Sequence, residues 1–157
     1  MFIYYYATIP APSATVEDAV LDALDGLSDH ADVAYRHGEE IRARLGPGER
    51  APAKAVHLDL GTPMRSSAET TVPMVWSATG TPGLFPRLEG DLVISSVGSD
   101  LTHLALRGSY RPPLGPVGRV LDRALLHRVA EASVKRFVDR LAAAVTDQVV
   151  EPVAPGR

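Results

Sequence analysis

The stretch from Leu101 to Val145, LTHLALRGSYRPPLGPVGRVLDRALLHRVAEASVKRFVDRLAAAV, constrains the fold more than any other part of the chain. Leu104, Leu106, Gly108 and Tyr110 alternate with His103, Ala105, Arg107 and Ser109, the period of two of a strand with one buried face. Pro112, Pro113, Gly115 and Pro116 then forbid further pairing, and a helix of about seven turns is predicted from near Val117. Leu121, Leu125, Val129, Ala130, Val134, Phe137, Val138, Leu141 and Val145 form its apolar band, with Arg119, Arg123, Arg136 and Arg140 turned outward. A strand that feeds one long terminal helix predicts a sheet wrapped around that helix.

The preceding residues supply the rest of the sheet. Phe2 to Ile9 is rich in β-formers and is stopped by Pro10 and Pro12. Thr15 followed by Asp18 resembles a capping box, which predicts a helix with Val16, Ala19, Val20, Ala23, Leu24 and Leu27 as its stripe. Gly26 and Ser28 interrupt it, and a second helical stretch runs to about Leu45, before Gly46, Pro47 and Gly48. Beyond Lys54 the period becomes two: Val56, Leu58 and Leu60, then Val72, Met74, Trp76 and Ala78, then Leu92 and Ile94. These runs predict an antiparallel meander with one buried face. The expected fold class is α+β, a curved antiparallel sheet around a long C-terminal helix with two short helices after strand one. One domain over residues 1–149 and a flexible tail over residues 150–157 are expected.

Composition narrows the function classes. The chain of 157 residues carries a formal net charge of −3, with 45% hydrophobic and 22% charged residues, so neither nucleic acid binding nor membrane insertion is expected. Zero cysteines exclude a disulfide framework, a thiolate metal site and a cysteine nucleophile, and suit a cytoplasmic location. MFIYYYATI is apolar but short, with no basic residue before it, so a signal peptide is not expected.

Two blocks carry a resemblance to a known family. Ile9-Pro10-Ala11-Pro12 resembles the I-x-A-P that often closes the first strand of SRPBCC (START-like, polyketide cyclase-like) helix-grip proteins. The block from Trp76 to Leu141 looks like bacterial proteins of that superfamily with a Gly-Ser-Tyr-Arg-Pro-Pro turn before the last helix. The resemblance implies an apolar ligand cavity between sheet and helix. It brings no catalytic motif, and the tryptophan common in the first helix of cyclase-like members is replaced here by Ala19, Val20 and Ala23.

Candidate ligand-binding residues are those placed on the inner rows: Tyr5, Leu58, Met74, Trp76, Leu92, Leu106, Tyr110, Phe137 and Leu141. Trp and Tyr combine a large apolar body with one polar tip, which suits holding and orienting a small apolar or aromatic molecule. If Ile9 is core, parity puts Ile3, Tyr5 and Ala7 inside and leaves Tyr4 and Tyr6 outside, where they could mark a homodimer contact. His30, His37, His57, His103 and His127 lack metal-ligand spacing, so neither a metal nor another cofactor is expected. His57, His103 and Arg107 fall on outer rows, the acidic run Asp18, Asp22, Asp25, Asp29 and Asp32 reads as a solvated face, and Gly115 to Arg119 reads as a turn and helix start. No catalytic constellation emerges. Two alternatives stand beside a binding protein: an aromatase/cyclase-like enzyme, which needs ionisable groups facing inward, and a domain acting through its surface.

Overall fold

The computed structural model of the chain describes residues 1–45, 56–78, 87–111 and 123–150. Strand β1 (Phe2–Ile9) is followed by helix α1 (Ser13–Asp22), a short 3-10 turn (Ala23–Gly26) and helix α2 (Leu27–Leu45). Strands β2 (Val56–Leu60), β3 (Met64–Arg65), β4 (Glu69–Ala78), β5 (Arg87–Gly98) and β6 (Leu101–Arg111) then form the meander, and helix α3 (Arg123–Val149) closes the chain. The expected start of that helix near Val117, together with Leu121, Arg119, the turn prolines, Phe85 and the tail residues 151–157, lies outside the described residues.

Helix α1 begins earlier than the Thr15 capping signature predicts. Pro12 is the N-cap, in extended conformation (φ −60°, ψ 144°) and without a side-chain cap, and Thr15 lies exposed inside the first turn. The chain is turned before Thr15 is reached: the Ala11 N–H bonds the Ile9 carbonyl at 2.9 Å, and buried Thr102 donates its hydroxyl to the Ala11 carbonyl at 2.8 Å. The Val16 N–H then closes on the Pro12 carbonyl, so proline geometry starts the helix instead of a hydroxyl. Val16, Ala19 and Val20 bury their stripe as predicted, and Leu27 continues it.

The sheet has the order β1-β6-β5-β4-β2, with β3 paired to β4, and all pairs are antiparallel. Register aligns the inward side chains in rows. One row runs Leu58, Trp76, Leu88, Tyr110; the next runs Leu60, Met74, Gly90, Gly108, Ile3; a third runs Val72, Leu92, Leu106, Tyr5. Ile94, Leu104 and Ala7 form a fourth. Helix α3 lies against β1, β6, α1 and α2. It buries Val129, Ala130, Val134, Phe137, Val138, Leu141 and Val145, while Arg136 and Arg140 stay in solvent. The core is the layer between these rows and the helices.

The second row has no side chain at its centre. A methyl placed on Gly90 would stand 2.3 Å from the Arg107 carbonyl oxygen and 2.8 Å from the Gly108 Cα. One on Gly108 would stand 2.5 Å from the Glu89 carbonyl oxygen. Two facing glycines therefore let the backbones of β5 and β6 approach more closely than any L side chain permits.

Helix α1 is tied to the far side of the sheet by one carboxylate. Glu17 accepts from Thr70 Oγ1 at 2.7 Å and pairs with Arg65. The Thr70 hydroxyl above all, and then Arg65, hold the Glu17 carboxyl below its ordinary range against the opposing effect of burial. A lowered folded-state pKa means that the tie stabilises above the glutamate pKa of the unfolded chain and is lost as pH falls through the lowered value. Glu17→Gln is accordingly expected to flatten the acid limb of the stability curve, measured by urea unfolding from neutral pH downward, and to leave the alkaline limb unchanged.

Candidate functional site

The inner end of the sheet gathers the aromatic residues. The starts of β1, β2 and β5 and the ends of β4 and β6 lie at the same end, because Val56 faces Ala78, Arg87 faces both Ser77 and Arg111, and Phe2 faces Ser109. At that end stands the row of Leu58, Trp76, Leu88 and Tyr110. Trp76 meets Phe137 of α3 edge to face, with ring centroids 5.3 Å apart and planes at 77°. Such pairs contribute about 0.5–1.5 kcal/mol beyond their buried area.

Met74, Trp76, Leu92, Leu106, Tyr110, Phe137 and Leu141 are all buried in one cluster, with Leu58 and Tyr5 half-buried against it. The nine candidates come together as one layer, packed against each other. Tyr5 departs from the rest at its tip. Its hydroxyl donates to Asp139 Oδ1 at 2.9 Å and accepts from Lys135 Nζ at 2.9 Å, while Lys135 Nζ reaches Asp139 Oδ2 at 2.6 Å. Asp139, and secondarily Tyr5, push the Lys135 ammonium above its ordinary pKa. The Tyr5 hydroxyl is thus committed to the rim of α3.

Leu88 and Gly90 also belong to this layer and were not singled out from the sequence. Their signal was the continuation of the Leu92, Ile94 alternation two and four residues upstream, hidden by the intervening Glu89 and by a glycine on an inner position.

Among the residues whose side-chain burial is described, which leaves out 28, 38–45, 123 and 126, no carboxylate, Lys, Arg or His is buried. Parity holds on the outer face. Arg107 pairs there with Asp91 at 3.4 Å and Glu69 at 3.3 Å, His57 with Asp59 at 3.0 Å, and His103 lies against the Tyr6 ring. Asp18, Asp22, Asp25 and Asp29 are exposed as expected, whereas Asp32 accepts the Val56 N–H and joins α2 to β2. Among the described residues no three His, Asp or Glu side chains gather as a metal site, and no helix is long and apolar enough to cross a membrane. A groove of about 310 Å³ runs between β1 and α3, bordered by Ile3, Tyr4 and Tyr5 on one side and Arg128, Glu131 and Lys135 on the other.

A curved antiparallel sheet, two helices after its first strand and a long C-terminal helix held against its inner face define a known architecture. This is the helix-grip fold. Solved structures bear it out. A conserved protein from Geobacillus kaustophilus is 13% identical, with a TM-score of 0.59 over 94% of this chain and 97% of that one. A protein of Thermus thermophilus is 18% identical, with a TM-score of 0.51 over 92% of this chain and 97% of that one. The Zhui aromatase/cyclase from Streptomyces sp. R1128, at 14% identity and a TM-score of 0.49 over 100% and 99%, is too distant to transfer an activity. No family model and no curated protein matches the sequence. The helix-grip likeness at these identities concerns the fold alone.

Proposed function

We propose that this helix-grip protein binds a small apolar or aromatic molecule between the sheet and α3, at the layer of Trp76, Met74, Tyr110, Leu106 and Phe137. The observation that carries the reading is the composition of that layer: aromatic and aliphatic side chains converge at one end of the sheet, in a cluster of apolar residues. A ligand enters by replacing side-chain contacts such as Trp76 against Phe137, and its gain is desolvation. Burying ~300 Å² of apolar ligand surface at about 25 cal/mol per Å² gives about 7–8 kcal/mol at most, a micromolar dissociation constant.

An aromatase/cyclase-like activity is less well supported, because Arg107, His57 and His103 all lie on the outer face. A cytoplasmic, single-domain binding protein without a cofactor is the corresponding reading of the whole chain.

Trp76 is the single tryptophan, so its emission reports on this layer alone. Titration with long-chain fatty acids, polyketide-like aromatics and aromatic acids is expected to give a saturable, one-to-one change in Trp76 emission with at least one class. Emission unchanged by every class would count against the site.

A further inference from the structure

We propose that β1 pairs edge to edge with β1 of a second copy of this chain, around a two-fold axis passing beside Tyr4. Among the described residues strand β1 ends the sheet and pairs only with β6. The Tyr110 N–H bonds the Met1 carbonyl at 2.8 Å and the Met1 amino group bonds the Tyr110 carbonyl at 3.1 Å. By the antiparallel alternation, Ile3, Tyr5 and Ala7 likewise exchange bonds with β6, and the N–H and C=O groups of Phe2, Tyr4 and Tyr6 point to the free edge. Exposed edges are normally blunted by charge, proline or a bulge. This one has no charged residue and no proline from Phe2 to Ile9, and its outer face shows Phe2, Tyr4 and Tyr6 at 69%, 55% and 47% exposure.

The helix beside this edge shows what covers it. The groove between β1 and α3 is lined by Tyr4 although its ring is on the outer face, so the groove follows the free backbone of the strand. Along its other wall stand Arg128, Glu131 and Lys135, and Asp139 follows one turn on, bound to Tyr5. Their signs run plus, minus, plus, minus. Reversing that series about its centre sets Arg128 opposite Asp139 and Glu131 opposite Lys135, so the series complements itself and no other sequence is needed. Ile3, Tyr4 and Tyr5 are the strand residues that line the groove opposite Arg128, Glu131 and Lys135, and the axis is set at the middle one, Tyr4.

The same axis sets the strand in register. Pairing centred on Tyr4 matches Phe2 of one copy with Tyr6 of the other and Tyr4 with its own image, and all three are residues whose backbone groups face the free edge. Each cross-strand pair is then aromatic on aromatic on the outer face. Lys135 pairs with Asp139 and Glu131 with His127 within one chain already, yet Glu131, Lys135 and Asp139 all keep exposed surface to share. Charge self-complementarity and strand register thus select a second copy as the occupant.

Sedimentation of the full chain across a concentration series tests this. A mass approaching twice the 16.7 kDa of the chain is expected at high concentration. Glu131→Lys sets two lysines against each other at both symmetry-related contacts and is expected to raise the dimer dissociation constant at least about tenfold. The double variant Glu131→Lys with Lys135→Glu again sets opposite charges against each other across the axis and is expected to restore the dimer. Glu131 is exposed, so these changes spare the core. A monomer at every concentration, a dimer unaffected by Glu131→Lys, or a double variant that stays monomeric would each overturn the proposal.

Discussion

Trp76→Ala is expected to lower the unfolding free energy by about 3–5 kcal/mol, the cost of deleting a large aromatic from a well-packed core. Trp76 is 2% exposed and meets Phe137 edge to face, with Leu58 and Leu88 beside it in the same row. Removing the indole strips contacts from both the sheet and α3, and neither can collapse fully into the space because the strands on either side are held in register. For a chain of this length each kcal/mol corresponds to roughly 2–4 °C, so the melting temperature is expected to fall by about 6–20 °C. Trp76→Phe keeps most of the aromatic surface and is expected to lose less than half as much. A Trp76→Ala protein melting within a degree or two of the wild type would show that the layer is not packed as described.

Gly90→Ala is expected to be comparably damaging for the opposite reason. The added methyl would meet the Arg107 carbonyl oxygen at 2.3 Å and the Gly108 Cα at 2.8 Å. Both are main-chain atoms, so nothing flexible can swing aside, and β5 must move away from β6. Overpacking of a core side chain costs about 1–3 kcal/mol, and a collision with backbone belongs at or above the top of that range. Gly98→Ala supplies the control, because a Cβ there meets no atom of the described residues within 4 Å. It is expected to change stability by no more than about 0.5 kcal/mol. Thermal unfolding of the two variants side by side checks the comparison, and similar losses would refute the close approach of the two strands.

These two positions also show how far the sequence reached. Trp76 was legible because Val72, Met74 and Trp76 alternate with Pro73, Val75 and Ser77, which the structure leaves only partly buried, and a period of two assigns faces without any knowledge of the partner strand. The same arithmetic put Tyr4 and Tyr6 outside, Arg107 and His103 on the outer row, and the long helix's apolar band inside. Gly90 was not legible. A glycine leaves no hydrophobic mark, and its importance arises only when register brings it opposite Gly108 on the next strand. Long-range polar ties were equally hidden. The bonds of Glu17 to Arg65 and Thr70, which lie 48 and 53 residues away, follow from how α1 docks and not from local spacing. The Tyr5 hydroxyl found Asp139 across 134 residues in the same way. Periodicity assigns a side chain to a face, but where its polar tip ends is decided by tertiary packing.

The account's central claim is that sheet and helix close over a small apolar molecule, and the most direct test is native mass spectrometry of the protein purified from its own host, followed by denaturing extraction. A stoichiometric apolar or aromatic adduct, released on denaturation and able to change Trp76 emission when added back, is the predicted result. A bare chain whose melting temperature is also unmoved by lipids, polyketides and aromatic acids would contradict it.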